Sequence, residues 1–297
     1  MRRYNTEIER EFVAFLKAQD GKEDGTASTY HRALVILNKV FERVRPDCLN
    51  GQYDIWKISS PSDLMRIYEI IKEEQTVYNT RGEGIFAALN GSGLGTCYYK
   101  NRWCSAAIKQ FASFWLTRAY TQSLDVIMGS SQNAQEVVDA VDQVRFPDNK
   151  CFLPDEVSVD SREGRERICE VKTRVNQSVF RKWVLGLYGY KCCVTGLNVQ
   201  EVLRASHIVA WADDKKNRMN PSNGLCLSAT YDAAFDRHLI SFDEDYRMVL
   251  SKSLRDRCLS RVCKTYFESR EGLRIDLPEK YLPDQRLLAR HRERLAK

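Results

Sequence analysis

The chain has 297 residues, 43% hydrophobic and 29% charged, a composition that argues against disorder and supports about two domains. The formal charge of +6 is compatible with a polyanionic partner but too small to demonstrate one. No run of 18 apolar residues occurs, which argues against a membrane span, and the opening MRRYNTEIEREF lacks the apolar core of a secretory signal. The ten cysteines form no CxxC pair, so no structural zinc is expected. The expectation is a cytoplasmic protein with reduced, mostly buried thiols.

Residues 1–125 are predicted to form an all-helical domain. Glu7–Ala18 places Ile8, Phe12, Phe15 and Leu16 at helical spacing, and after a break over Asp20–Gly25 the pattern resumes in Ser28–Phe41. Pro61 opens the next helix, as proline at a first helical position should. Asn79–Gly95 reads as a glycine-rich loop, and Cys104–Tyr120 as a helix bulky with Phe111, Phe114 and Trp115. No polar cluster here looks catalytic, and His31 reads as a surface or cap residue. The helix rhythm and the segment Thr26-Ala27-Ser28-Thr29-Tyr30 loosely resemble the helical DNA-binding domain of tyrosine recombinases. That resemblance implies nucleic-acid contact; a packing or dimerisation role stays open beside it.

Residues 126–172 read as a connector. Gly129–Asn133 marks a boundary, Ala134–Val144 a short helix, and Glu156–Glu170 a charged stretch without steady period. Its carboxylates, Asp155, Glu156, Asp160, Glu163, Glu166 and Glu170, read as a solvated face.

From Lys172 the chain turns basic around apolar positions. A helix over Asn176–Tyr188 directs Val179, Phe180, Trp183, Val184 and Leu187 inward and leaves Arg174, Arg181 and Lys182 partly outward, where they can hold phosphates or simply be solvated. Gly189 stops that helix. CCVTG (192–196) reads as one strand arm and Leu203–Ile208 as the second, which carries His207. Trp211 reads as core or substrate-edge packing. Gly224–Leu227 is a further strand, and Ser228 or Thr230 can cap the helix bearing Asp232 and Asp236 one turn apart. An imidazole can deprotonate water, and paired carboxylates can hold a hard cation. Two carboxylates at this spacing are also common on ordinary helix surfaces.

Several motifs in order sharpen this. YGYKCCVTG, the ASHI of Ala205–Ile208, the PSNGLCL of Pro221–Leu227, FDRHLISFD (235–243), and YLPD with the L-x-x-H-R of Leu288–Arg292 together resemble the HNH nucleases, in particular their restriction-endonuclease-like branch. The resemblance runs from about Thr173 to Arg292. It implies an α+β chain: the N-terminal helical domain followed, over 173–297, by a ββα-metal nuclease domain with flanking helices. It further implies His207 as general base and Asn223 as the asparagine that orients it. The metal-binding histidines of many relatives fall at Asp232 and Asp236, which implies one Mg²⁺ or Mn²⁺ per site rather than Zn²⁺. Ser206 stands where other branches carry an Asp or His ligand. Tyr231 reads as packing or a phosphate contact, Cys193 and Cys226 as thiols packed together, and His238 as facing differently from Asp236 and so not a metal ligand. Candidate nucleic-acid contacts are Arg174, Arg181, Lys182, Arg204, Arg237 and His238, with a basic tail after Leu250. The expected function is a metal-dependent endonuclease on double-stranded DNA, a homodimer in restriction or phage defence. The alternative is a nucleic-acid-binding protein with a degenerate HNH fold.

Overall fold

The computed structural model describes residues 6–19, 24–92 and 97–295. In chain order the helices are α1 (Glu7–Lys17), α2 (Asp24–Val44), α3 (Pro61–Arg81), α4 (Cys97–Lys100), α5 (Trp103–Ser130), α6 (Ala134–Gln143) and α7 (Arg162–Leu187). Strands β1 (Leu203–His207) and β2 (Gly224–Ser228) precede α8 (Ala229–Asp236). Then come β3 (Ile240–Phe242), β4 (Met248–Leu250), α9 (Lys252–Arg257), α10 (Arg261–Tyr266) and α11 (Gln285–Glu293). An almost entirely helical N-terminal region is therefore followed by a ββα arrangement with flanking helices.

The chain divides into two units, one of residues 1–120 and 147–171, the other of 121–146 and 172–297. No helix among the described residues is long and apolar enough to cross a membrane. In the first unit, local chemistry sets the helix ends. Thr6 and Ser60 cap α1 and α3 by accepting the amide hydrogens of Glu9 and Asp63, and Gly82, at φ +72°, closes α3 in the left-handed region. The apolar stripes converge on Phe12, Leu37, Phe41, Ile67 and Phe111, all buried, with Phe12 and Phe111 edge to face at 5.1 Å. His31 departs from its expected surface place: it sits 3.6 Å from Glu9 and against Trp56.

Three segments differ from expectation. α5 runs to Ser130, through the expected boundary. Part of the expected Asn79–Gly95 loop is helical, because α3 reaches Arg81 and a 3-10 turn over Ile85–Leu89 buries Phe86 and Leu89; 93–96 lie outside the described residues, as do 20–23 of the expected break before α2. α7 begins at Arg162, inside the charged stretch. That stretch lacks an apolar stripe, but the Arg162–Glu166 pair at 2.8 Å and the Glu163–Arg167 pair at 2.7 Å support it as i,i+4 contacts, and Ser161 caps it on the Gly164 amide. Asp155 is no solvated charge either. It accepts from Tyr68 and pairs with Lys109 at 2.7 Å and Lys72 at 3.2 Å, tying the returning segment to its unit.

In the second unit β1 and β2 pair antiparallel, from Leu203 against Ser228 to His207 against Gly224. CCVTG is not a strand. The Gly196 amide donates to the Cys192 carbonyl at 2.7 Å and the Cys192 amide to the Leu197 carbonyl at 2.9 Å, so the segment closes on itself, and one bond from the Cys193 amide to the Cys226 carbonyl (2.8 Å) docks it on β2. His207 therefore ends the first arm of the β1–β2 hairpin. Cys193 and Cys226 are buried free thiols, as expected, both shifted up by burial, Cys226 to about 12. The expectation of reduced thiols fails at Cys258 and Cys263, which are disulfide-bonded: the turn from α9 to α10 brings their Cα atoms to 5.3 Å, inside bonding range.

Gly224 marks where α7 crosses β2. A Cβ there would stand 2.4 Å from Val184 Cγ2 and 3.0 Å from Phe180 Cζ. Gly224→Ala is expected to force α7 off the sheet, costing about 1–3 kcal/mol. A thermal melt should show a midpoint lower by several degrees.

Candidate active site

The connection from β1 to β2 is long, and its backbone groups need partners. Asn223, fully buried, supplies them. Its Oδ1 accepts from the Val209 amide at 2.9 Å, while its Nδ2 donates to the carbonyls of Val209 at 3.1 Å and Asn217 at 3.0 Å. A polar chain continues through the loop: Asn220 Nδ2 donates to Asn217 Oδ1, and Asn217 Nδ2 to Asp214 Oδ2. Arg290 of α11 and Arg294, at the C-cap of that helix, pair with Asp214 at 3.0 Å and Asp213 at 2.8 Å.

This loop holds His207. The His207 Nε2 lies 3.0 Å from the Arg218 carbonyl oxygen. A carbonyl only accepts, so Nε2 carries the proton and the neutral ring keeps its lone pair on Nδ1. The ring stacks on Phe180, centroids 3.8 Å apart at 14°, and meets Trp211 edge to face at 5.4 Å. Burial lowers its pKa below the ordinary histidine value, and the bond to the Arg218 carbonyl partly opposes that. Trp211 thus packs on His207 and also lies beneath the Arg218 guanidinium at 5.3 Å.

A cavity of about 130 Å³ opens at this point, lined among others by His207, Asp236, His238, Arg290, His291 and Arg294. Asp236 is the last residue of α8, and Asp232 precedes it by one turn. Burial and then the Asp232 charge raise the Asp236 pKa, against a smaller opposing effect of Arg237. Carboxylate oxygens are hard donors of the kind Mg²⁺ or Mn²⁺ takes, and of these two aspartates Asp236 lines the cavity while Asp232 does not. Among the described residues no group of three or more His, Cys, Asp and Glu side chains is arranged to hold a metal ion. Ser206, on β1, has its Oγ buried without a hydrogen-bond partner among the described residues. Ser228 stands at the α8 N-cap without a side-chain cap bond, and Tyr231 packs against Phe267 while donating to the Tyr266 carbonyl.

His238 lines the same cavity as Asp236. α8 ends at Asp236 and the chain reverses through His238, at φ +53°, which returns the residue to the cavity shared by Asp236 and His207. Its Nδ1 lies 3.1 Å from His291 Nε2. His291 itself is buried, stacked on Phe235 with centroids 3.7 Å apart, and bonded to the Phe235 carbonyl at 3.0 Å and to Ser241 Oγ at 2.9 Å. The L-x-x-H-R motif contains His291, but nothing in its spacing reveals the contact with His238.

The remaining basic candidates do not line the cavity. Arg174 is exposed on α7; Arg181 donates to the Gln200 carbonyl at 3.4 Å; Lys182 pairs with Asp125 at 2.5 Å. Arg204 donates to the Glu201 and Leu203 carbonyls, and Arg237 folds back on the Ala233 carbonyl. In the C-terminal part Arg255 is paired with Glu271.

Residues 192–243 match the HNH endonuclease family, which encloses His207, Asn223, Asp232, Asp236 and His238. The match does not reach the N-terminal helices, and the recombinase resemblance finds no support. No curated protein matches the chain.

The buried histidine gives a stability prediction. Burial, and next the His238 charge, lower the His291 pKa to about 4, below the unfolded value of about 6.5. The unfolded chain then binds the proton more readily, so the contribution is complete above about pH 6.5 and is lost as pH falls towards 4. Denaturant titrations across that window should show a loss on the order of 2–3 kcal/mol, diminished in His291→Gln.

Proposed function

We propose that the second unit is a metal-dependent endonuclease that hydrolyses phosphodiester bonds of double-stranded DNA, with His207 as general base. The observation that carries this reading is the meeting of His207 and Asp236 in one cavity, within the segment that matches the HNH endonuclease family. With Nε2–H engaged by Arg218, the Nδ1 lone pair takes a proton from water, and the resulting hydroxide attacks phosphorus in line with the 3′ oxygen. The P–O3′ bond breaks and leaves a 5′-phosphate. Burial keeps the imidazole neutral before the step, and the Arg218 carbonyl supports the imidazolium after it. Asn223 fixes the loop on which that carbonyl sits.

Asp232 and Asp236 would hold Mg²⁺ or Mn²⁺, which when bound supplies positive charge to the scissile phosphate and the departing oxygen. Each site cuts one strand, so a double-strand break calls for two copies, and we place the protein in the cytoplasm in restriction or phage defence. Arg174, Arg181, Arg204 and Arg237 are proposed to track the phosphate backbone, with Lys182 contributing if DNA displaces its pairing to Asp125. The lack of a three-residue metal cluster among the described residues favours a second reading, a DNA-binding protein with a degenerate nuclease fold.

Incubation with plasmid and phage DNA, modified DNA included, separates the two. Wild-type protein should cleave with Mg²⁺ or Mn²⁺ and stop in chelator, while binding without cleavage under every condition supports the second reading. His207→Ala should lower cleavage by at least about 100-fold while folding is retained. Because burial depresses the His207 pKa, the base stays deprotonated below pH 6.5, and the acid limb of kcat/KM should have its midpoint below that value.

A further inference from the structure

α8 ends in a Schellman arrangement: the His238 amide donates to the Phe235 carbonyl at 2.8 Å and the Leu239 amide to the Ala234 carbonyl at 2.9 Å. The left-handed residue of this motif is usually glycine, because a Cβ is penalised there. Here it is a histidine at φ +53°. Seven described non-glycine residues have positive φ, and His238 is the one among them that lines the cavity of His207 and Asp236. Residues held in this region cluster at functional sites, where the surrounding structure over-determines them.

The ring is also aimed. The Phe235 carbonyl can only accept, so His291 carries its proton on Nε2, and its Nδ1 accepts from the Ser241 hydroxyl. His238 Nδ1, 3.1 Å from that same Nε2, is therefore an acceptor, and the neutral His238 ring has its N–H on Nε2. Ser241, His291 and His238 thus form a directed chain that starts in the buried interior and ends at the cavity.

We propose that His238 is a substrate-contacting residue of this site, donating its Nε2–H to an oxygen of the scissile phosphodiester, and that His291 is the residue that positions it. The proposal rests on the nuclease reading above and gives His238, a candidate nucleic-acid contact, a specific role in it and His291 as its partner. Removing the His238 side chain orphans nothing, since His291 keeps the Phe235 carbonyl and Ser241. Glycine at this position also relieves the backbone. His238→Gly should therefore melt at or above the wild-type temperature and yet cleave at least 10-fold more slowly.

The experiment compares wild type, His207→Ala, His238→Gly, His291→Gln and the double variant His238→Gly/His291→Gln, by thermal melting and by cleavage kinetics on one duplex with Mg²⁺ or Mn²⁺. A positioning role predicts that His291→Gln lowers kcat with KM for DNA within about twofold, and that the double variant is no slower than His238→Gly. Wild-type-like cleavage by His238→Gly, with His207→Ala inactive, overturns the proposal and leaves the nuclease reading standing. A melting temperature of His238→Gly well below wild type also overturns it, since the histidine would then be a packing residue. A wild type inert on every DNA tested overturns both.

Discussion

The Asn223 carboxamide is the constraint on which the rest of the site depends. Its three hydrogen bonds clamp the chain just after β1 to the residues just before β2. A loop of this length otherwise costs closure entropy and leaves buried amides unpaired. Because the clamp reaches Asn217, it fixes the neighbouring Arg218, whose carbonyl sets the His207 tautomer. Asn217 also bonds Asp214, Asp214 pairs with Arg290, and Arg290 precedes His291 on α11. One carboxamide therefore orders the surroundings of both buried histidines. Aspartate has nearly the same shape but no N–H donors, so it could not satisfy the Val209 and Asn217 carbonyls, and it would bury a charge.

The close approach of α7 acts on the same histidine from the other side. Gly224 lets Val184 and Phe180 reach β2, and Phe180 then supplies the apolar wall on which the His207 ring lies. That wall lowers the imidazole pKa, while the Arg218 carbonyl limits the shift and fixes the orientation. A ring fully enclosed by apolar groups would be a weaker base, and a solvated one would lose its orientation. Stacking on one side and a single acceptor on the other lie between these extremes.

What the sequence conveyed follows from the range of the interactions. The proline at the start of α3, the stripe on α7 and the glycine stop at Gly189 are local, and they were readable. The His-to-Asn-to-Asp spacing was readable because β1, β2 and α8 are consecutive and short. The CCVTG segment misled because Cys, Val and Thr favour strands, while the two bonds that close it on itself outweigh that preference. The start of α7 was hidden because ion pairs support it in place of an apolar stripe. His291 was out of reach for a different reason: it lies 53 residues from its partner His238, and no periodicity encodes a contact at that separation.

The electrostatics of α8 argue for what its end is for. Asp236 is the helix's final residue, where the backbone dipole is negative and a cation would be favoured by about 0.3–1 kcal/mol. Asp232 stands at i−4, a like-charge placement that costs a further few tenths of a kcal/mol. The Asp236 pKa is raised, chiefly by burial and next by the Asp232 charge, and Arg237 offsets only part. A helix selected for stability alone would carry lysine or arginine at position 236. The dipole and like-charge terms disfavour the carboxylate in the isolated protein, and a positive charge placed beside it would offset both. That cost is what the cation proposed at Asp232 and Asp236 would offset, beside a histidine that is held neutral and oriented.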